Sequence, residues 1–383
     1  TNLGVFGLMT SLGSGAFHSW NGKARAAILS AVPLSIIVPM CISLAIYMNY
    51  EEDESQQLEV VAIQPNIDPY HKFTALNQQQ QNVLLEEGIK MSIPDRDRSS
   101  ESFDSLAATR PLLVVAPETF TNDVITNDIN LSVTFRRFTQ FLGDYPNVNL
   151  LFGASTHDYV DKPTLLSREL RNGSFLESHN SAIMTDASSR YQIFHKSKLV
   201  VGVEMIPYPK VFVPLDNALG GVMGRDIGQD KITLLDCHTY DSDGNLVEEI
   251  PIGSAICYES IYGEYCTGYV NEGAKALAVI TNDAWWGDTP GYRQHLSYSS
   301  LRAIETRRDI VRCANTGISA IINQRGDVVL STNWWEPASV RADINLNDKQ
   351  TWFVRSGDFT GRICTLLFAL LLLTLLVRLK TEA

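Results

Sequence analysis

Three side chains in this sequence have the types that one covalent acyl transfer would need, and each stands at the end of a short apolar run. Glu118 follows Leu112-Leu113-Val114-Val115-Ala116-Pro117, Lys196 closes Tyr191-Gln192-Ile193-Phe194-His195, and Cys257 ends Gly253-Ser254-Ala255-Ile256. A thiol is a weak nucleophile until it is deprotonated. A carboxylate within reach can take that proton, and an ammonium can stabilise both the thiolate and the oxyanion formed on attack. The backbone N–H of Tyr258, just after the thiol, is a natural second oxyanion donor. Taken singly, the three read as a solvated loop acid, an exposed lysine on an edge strand and an inert buried cysteine. Taken together, they supply base, electrophile and nucleophile.

The elements that would position them are short, apolar and often apolar on both faces. Strands are expected at 58–64, 111–116, 148–153, 181–184, 254–257 and 276–281, alternating with helical stretches such as 131–142 and 297–312. A helix face is expected just after the glutamine run at 77–81, a charged, serine-rich loop at 94–105, and a terminal hairpin of 317–323 and 327–330 across Gln324-Arg325-Gly326. Strands of this kind belong to an α/β layered sheet buried on both sides, with functional groups gathered where strands end. No internal repeat is visible, and nothing divides the region 51–358 into two domains.

Composition narrows the partners. A net charge of -12 over 383 residues, without a basic stripe, argues against nucleic acid. Six scattered cysteines suggest no disulfide framework, and the lone Cys237-His238 pair lacks the further ligands a metal site requires. No cofactor and no metal are expected. Residues 26–48 carry no charge and suffice to cross a bilayer; a signal peptide is the competing reading, with Pro33 and Pro39 inside the run. Lys23 and Arg25 precede this run and Glu51-Glu52-Asp53-Glu54 follows it, which places its start in the cytoplasm and the next region outside. A second apolar run at 363–377, flanked by Arg362, Arg378 and Lys380, would return the chain. The competing reading there is amphipathic anchoring, against which the missing polar face speaks. The expected organisation is a membrane region at 1–50, N-terminally incomplete, then an extracytoplasmic domain at 51–358 and a C-terminal span with a short cytoplasmic tail at 359–383.

The motifs around these residues resemble the nitrilase superfamily, and within it the membrane-bound apolipoprotein N-acyltransferases of bacteria. Gln64-Pro65-Asn66-Ile67 is similar to the opening motif, and Ala116-Pro117-Glu118-Thr119 to the glutamate motif. His195-Lys196-Ser197-Lys198-Leu199-Val200 with Glu204 is similar to the lysine motif, and Cys257-Tyr258-Glu259-Ser260 to the nucleophile motif. The stretch from Thr281-Asn282-Asp283-Ala284-Trp285-Trp286-Gly287 through Gln294-His295 to Arg308 is similar to the segment that follows the cysteine. The resemblance covers about 58–330 and singles out Lys196 over Lys198 through its spacing to Glu204. Two departures stand out: Val201-Gly202-Val203 lacks the family's proline, and Phe73 stands where a tryptophan is expected.

The resemblance implies a four-layer αββα sandwich flanked by transmembrane helices, and Glu118, Lys196 and Cys257 as the catalytic set. Glu204, Tyr258, Glu259, Phe73, Trp285 and Trp286 would support the site or bind substrate, with the two tryptophans lining a pocket, dipping into the lipid interface or packing in the core. The apolar stretches 205–209 and 211–219 would form a lid over an acyl chain. The implied reaction moves an acyl group from a membrane phospholipid, through a thioester on Cys257, to the N-terminal amine of an apolipoprotein. It would take place in a monomer of the bacterial inner membrane, multi-pass, with the catalytic domain on the periplasmic side. A superfamily hydrolase of amides or carbamoyl groups is the alternative, and a tethered binding protein with an inactive domain a more distant one.

Overall fold

The structure, a computed structural model, describes residues 9, 12, 21–69, 72 and 76–382 of the chain; Phe73 lies outside them. Two compact units result, Thr1–Glu52 and Asp53–Ala383. The described part of the first is essentially one helix, α1 (Gly22–Asn49), which keeps Pro33 and Pro39 inside it.

The second unit opens with β1 (Gln57–Gln64) and α2 (Gln78–Ser92). A reciprocal cap starts α2, in which the Asn77 side chain accepts the Gln80 N–H and Gln80 reaches back to the Asn77 N–H. Next come β2 (Leu112–Val115), β3 (Thr121–Ile125) and α3 (Val133–Leu142), the last capped by the Ser132 hydroxyl on the Phe135 N–H at 3.0 Å. The chain continues through β4 (Val148–Val160), β5 (Arg168–Glu169), β6 (Phe175–Thr185) and β7 (Tyr191–His195) to a short helix, α4 (Pro209–Ala218). β8 (Leu235–Tyr240), β9 (Leu246–Ile256), α5 (Gly263–Asn271), β10 (Ala276–Thr281) and α6 (Gly291–Thr306) build the second half. β11 (Ile310–Ala314), β12 (Ala320–Ile322), β13 (Val328–Ser331), β14 (Ala338–Asn345), α7 (Trp352–Ser356) and α8 (Phe359–Glu382) complete it.

The strands form two sheets. One has the order β14-β1-β2-β4-β6-β5, with β3 added on β4 and β7 on β6; the other has the order β13-β12-β11-β10-β9-β8. Pairs β1–β2, β2–β4, β9–β10 and β10–β11 are parallel, so their C-terminal ends share one edge within each sheet. Alternation along β1 shows how the layers stack. Leu58, Val60 and Ala62 join a core with Ile250, Ile252, Ala278 and Ile280 of the other sheet, while Val61 and Ile63 pack with Leu85 and Ile89 of α2 and Phe135 and Phe138 of α3. On the far side, Tyr269 of α5 and Ala303 of α6 cover the second sheet. The layers run helix, sheet, sheet, helix.

Several expected boundaries move, two of them in the last third of the chain. The helix expected at 297–312 begins at Gly291 and stops at Thr306, because Arg307 takes a left-handed backbone (φ 50°) and Ile310-Val311 enter a buried parallel strand. The expected hairpin keeps only Ala320–Ile322 as its first strand. Ser319, just before it, turns its hydroxyl to Gln64 Oε1 at 2.9 Å instead of extending the ladder. At either end, Arg25–Asn49 (25 residues) and Phe359–Val377 (19 residues) are long and apolar enough to cross a membrane, and neither is buried.

Candidate active site

Three strand ends bring the expected residues together. After β2, Pro117-Glu118-Thr119 turns sharply, with Thr119 in a left-handed conformation (φ 47°). Gly153 on β4 makes that turn possible: a side chain there would lie 2.5 Å from the Glu118 Cα and 2.6 Å from the Pro117 carbonyl. Glu118 is buried, and its Oε1 accepts the Lys196 ammonium at 3.1 Å and the Asn180 amide at 2.8 Å. Its Oε2 accepts the Asn282 N–H at 3.1 Å.

Lys196 is 1% exposed and also donates to Glu204 Oε1 at 2.7 Å. Burial works against its charge, but the carboxylates of Glu118 and Glu204 outweigh burial and hold the ammonium well above the usual lysine range. It is therefore a fixed cation rather than a base. Of its three N–H donors, two are spent on Glu118 and Glu204, which leaves one, among the described residues, for a developing oxyanion.

Cys257 follows β9 with φ 50°, the left-handed region that costs a non-glycine residue on the order of 1 kcal/mol. That backbone turns the chain abruptly into a 3-10 turn (Cys257–Ile261) whose first N–H groups, Tyr258 among them, have no acceptor inside the turn. Burial pushes the thiol well up, Glu118 adds to this, and Lys196 and the Thr281 hydroxyl pull against it. Burial and Glu118 thus both favour the protonated thiol, and attack by its sulfur would call for a base.

Glu259 lies deeper and serves as a clamp. Its Oε1 accepts the N–H groups of Ser197 (2.7 Å) and Lys198 (3.1 Å), and its Oε2 accepts that of Ile256 (2.8 Å), tying the lysine loop to the residue before the thiol. Glu204 bonds the Asn180 amide at 2.8 Å and, through Oε2, the Val200 N–H at 2.7 Å, which closes the loop from its other side. Both position the site rather than touch the thiol. The Tyr258 ring packs edge-on against Tyr262, with centroids 5.5 Å apart.

Sequence reasoning did not single out a buried network behind the thiol. Asp283 Oδ1 accepts His295 Nδ1 at 2.8 Å, and its Oδ2 accepts Arg312 at 2.5 Å. The far nitrogen of His295 reaches the Cys257 carbonyl and the Ser260 hydroxyl, each at 3.1 Å. Asn180, Asn282 and Lys72 were likewise not marked, although Asn282 and Asp283 follow β10 just as Glu118 and Cys257 follow their strands. The two tryptophans are surface residues, Trp285 64% and Trp286 41% exposed, so core packing does not hold for them. The segment between β7 and β8 carries exposed Val203, Tyr208, Val211, Leu215 and Val222, with α4 in the stretch expected as a lid.

A buried carboxylate and ammonium and a partly buried thiol at the strand ends of a doubly covered pair of sheets accord with what a family comparison gives: residues 113–353 match the carbon–nitrogen hydrolase model, and the chain belongs to that family. Its fold is the nitrilase-like α/β arrangement. Among curated proteins, it is 26% identical over 361 residues to an apolipoprotein N-acyltransferase of Chlorobaculum tepidum, a match covering 93% of this chain and 64% of that one. Over 75 residues it is 51% identical to the apolipoprotein N-acyltransferase of Rhizobium meliloti, covering 20% of this chain and 14% of that one. The chain thus spans less than two thirds of the length of these relatives. Among solved structures, Saccharomyces cerevisiae Nit3, a member of branch 10 of the nitrilase superfamily, aligns with a TM-score of 0.49 at 14% identity, over 78% of this chain and 93% of that one.

Proposed function

We propose that this chain transfers an acyl group from a membrane phospholipid, through a thioester on Cys257, to the N-terminal amine of a lipid-modified apolipoprotein. The observation that carries this reading is the buried Glu118–Lys196 pair beside the partly buried Cys257, in a chain with an unburied helix of membrane-crossing length near each end. A substrate that never leaves the bilayer gives a reason for both helices. The names of the curated relatives, and their match along 93% of the chain in the Chlorobaculum case, support the same substrates.

In the first step Glu118 takes the thiol proton and the sulfur attacks the ester carbonyl. Lys196 Nζ and the Tyr258 N–H hold the oxyanion. As the tetrahedral species collapses, the acyl carbon–oxygen bond breaks and Glu118 returns its proton to the departing alkoxide of the lysophospholipid. In the second step the acceptor amine attacks the thioester and gives a proton to Glu118. The carbon–sulfur bond breaks and the thiolate recovers that proton, leaving an amide. The exposed apolar side chains between β7 and β8, with Trp285 and Trp286, suit an acyl chain or the lipid interface. In this reading the domain lies on the periplasmic side of the inner membrane, and no cofactor takes part.

The test is the fate of the acyl group. Incubated with phospholipid vesicles and a diacylated lipopeptide, the protein is expected to yield an N-acylated lipopeptide and lysophospholipid in equal amounts. Release of free fatty acid with the lipopeptide unchanged would make the chain a hydrolase and end this reading.

A further inference from the structure

We propose that Lys72 is a positioning residue for Glu118: its hydrogen bond to Thr119 fixes the turn that aims the carboxylate, and its ammonium sets a second positive charge beside it. This rests on the reading of Glu118 as the base. Lys72 lies in the loop after β1, only 7% exposed, and its Nζ donates to the carbonyl of Thr119, the residue next to Glu118. Thr119 is the left-handed member of the turn, a conformation that persists only when its surroundings hold it. Beyond the Lys72 bond, the next N–H, of Phe120, reaches the Gly153 carbonyl at 2.8 Å. Lys72 is itself held in place, with its carbonyl accepting the amide of buried Gln81 on α2 at 2.7 Å and its ammonium 5.9 Å from the Phe120 ring centroid.

The charges around Lys72 explain why its own charge matters. Glu118 is the carboxylate that faces it; across Glu118 lie Lys196 at the end of β7, Glu204 in the following loop and the Cys257 thiol. Buried Glu118 and partly buried Glu204 share the cation of Lys196, so a second positive charge beside Glu118 balances the site. Burial lowers the Lys72 ammonium to about 8 while Glu118 sustains it, and this coupling is reciprocal. Removing the Lys72 charge therefore takes away an attraction on the Glu118 carboxylate.

The experiment uses the full chain in detergent with p-nitrophenyl butyrate, which acylates a reactive thiol without a phospholipid, and follows the burst rate against pH. Lys72→Met is expected to move the acid limb up by about one pH unit, roughly a tenfold slower burst below the limb. Lys72→Arg, permanently charged, is expected to leave the limb in place. A Lys72→Met limb that superimposes on the unsubstituted protein's, or an Arg variant that shifts like Met, overturns the proposal. Competitive acetylation of Lys72, resolved by mass spectrometry, covers the case in which Lys72→Met does not fold. Glu118→Gln is expected to lower the titration of Lys72 by about one unit, and an unchanged titration overturns the coupling. If the unsubstituted protein gives no burst, the Cys257 reading fails, and the acetylation arm alone decides the role of Lys72.

Discussion

Replacing Asp283 by Asn should destabilise the catalytic unit far more than an ordinary polar substitution. Arg312 is fully buried, among the described residues its Nη1 has no hydrogen-bond partner, and apart from Asp283 its guanidinium meets the Ile318 carbonyl at 3.2 Å and His295 Nδ1 at 3.4 Å. The cation therefore depends on one carboxylate, 2.5 Å away. Breaking a buried pair by removing one partner costs about 3–5 kcal/mol, because the other charge is left uncompensated. A loss of that size should lower the midpoint of thermal unfolding in detergent by roughly 5–10 °C. The Cys257 carbonyl would also lose its anchor through His295, so acylation should slow beyond what the stability loss explains. Combining Asp283→Leu with Arg312→Met should recover much of the stability lost in Asp283→Leu alone, with a coupling of about 2 kcal/mol. The sign with pH follows too. Burial opposes the Asp283 charge, but Arg312 and His295 outweigh it and hold the carboxyl below its usual range. Its contribution is thus complete above about pH 4 and is lost as pH falls through the lower folded value, a loss absent from Asp283→Asn. Melting within about 1 °C of the unsubstituted protein, or strict additivity in the cycle, would refute the reasoning.

Three further outcomes follow from the same geometry. Lys196→Met leaves buried Glu118 and partly buried Glu204 without their shared cation and should cut Cys257 acylation by roughly 10²–10³, measured by single-turnover release of lysophospholipid. Glu118→Gln cannot take the thiol proton and should slow the same step by roughly 10²–10⁴ while the protein melts near its usual temperature. Gly153→Ala would set a methyl 2.5 Å from the Glu118 Cα and should cost ~1–3 kcal/mol in thermal unfolding together with most of the activity.

The sequence revealed the strand ends but not what lies behind them. Glu118 and Cys257 were legible because each closes an apolar run, and a parallel α/β sheet places such ends along one edge; Lys196, after the mixed run Tyr191-Gln192-Ile193-Phe194-His195, was singled out by the resemblance through its spacing to Glu204. The boundaries of β4, β6 and β9 ran longer than the apolar runs, since residues such as Glu177, His179 and Glu248 join antiparallel ladders that local apolarity does not mark. Asn180 was hidden for this reason: it lies mid-strand, and only the pairing of β6 with β7 sets it against Glu118 and Glu204. The Asp283–His295–Arg312 network was illegible because its members come from three elements and meet only when β10, α6 and β11 pack. Lys72 followed the opening motif, yet its depth is set by the Thr119 turn, 47 residues along the chain.

The central claim is that Cys257, activated by Glu118 and steadied by Lys196, carries the acyl group. Intact mass spectrometry of the full-length protein after incubation with phospholipid tests it most directly. The account predicts one fatty-acyl adduct, mapped to Cys257, labile to hydroxylamine and absent from Cys257→Ala and Glu118→Gln. An unmodified Cys257 under turnover conditions, or an adduct that persists in Cys257→Ala, would contradict it.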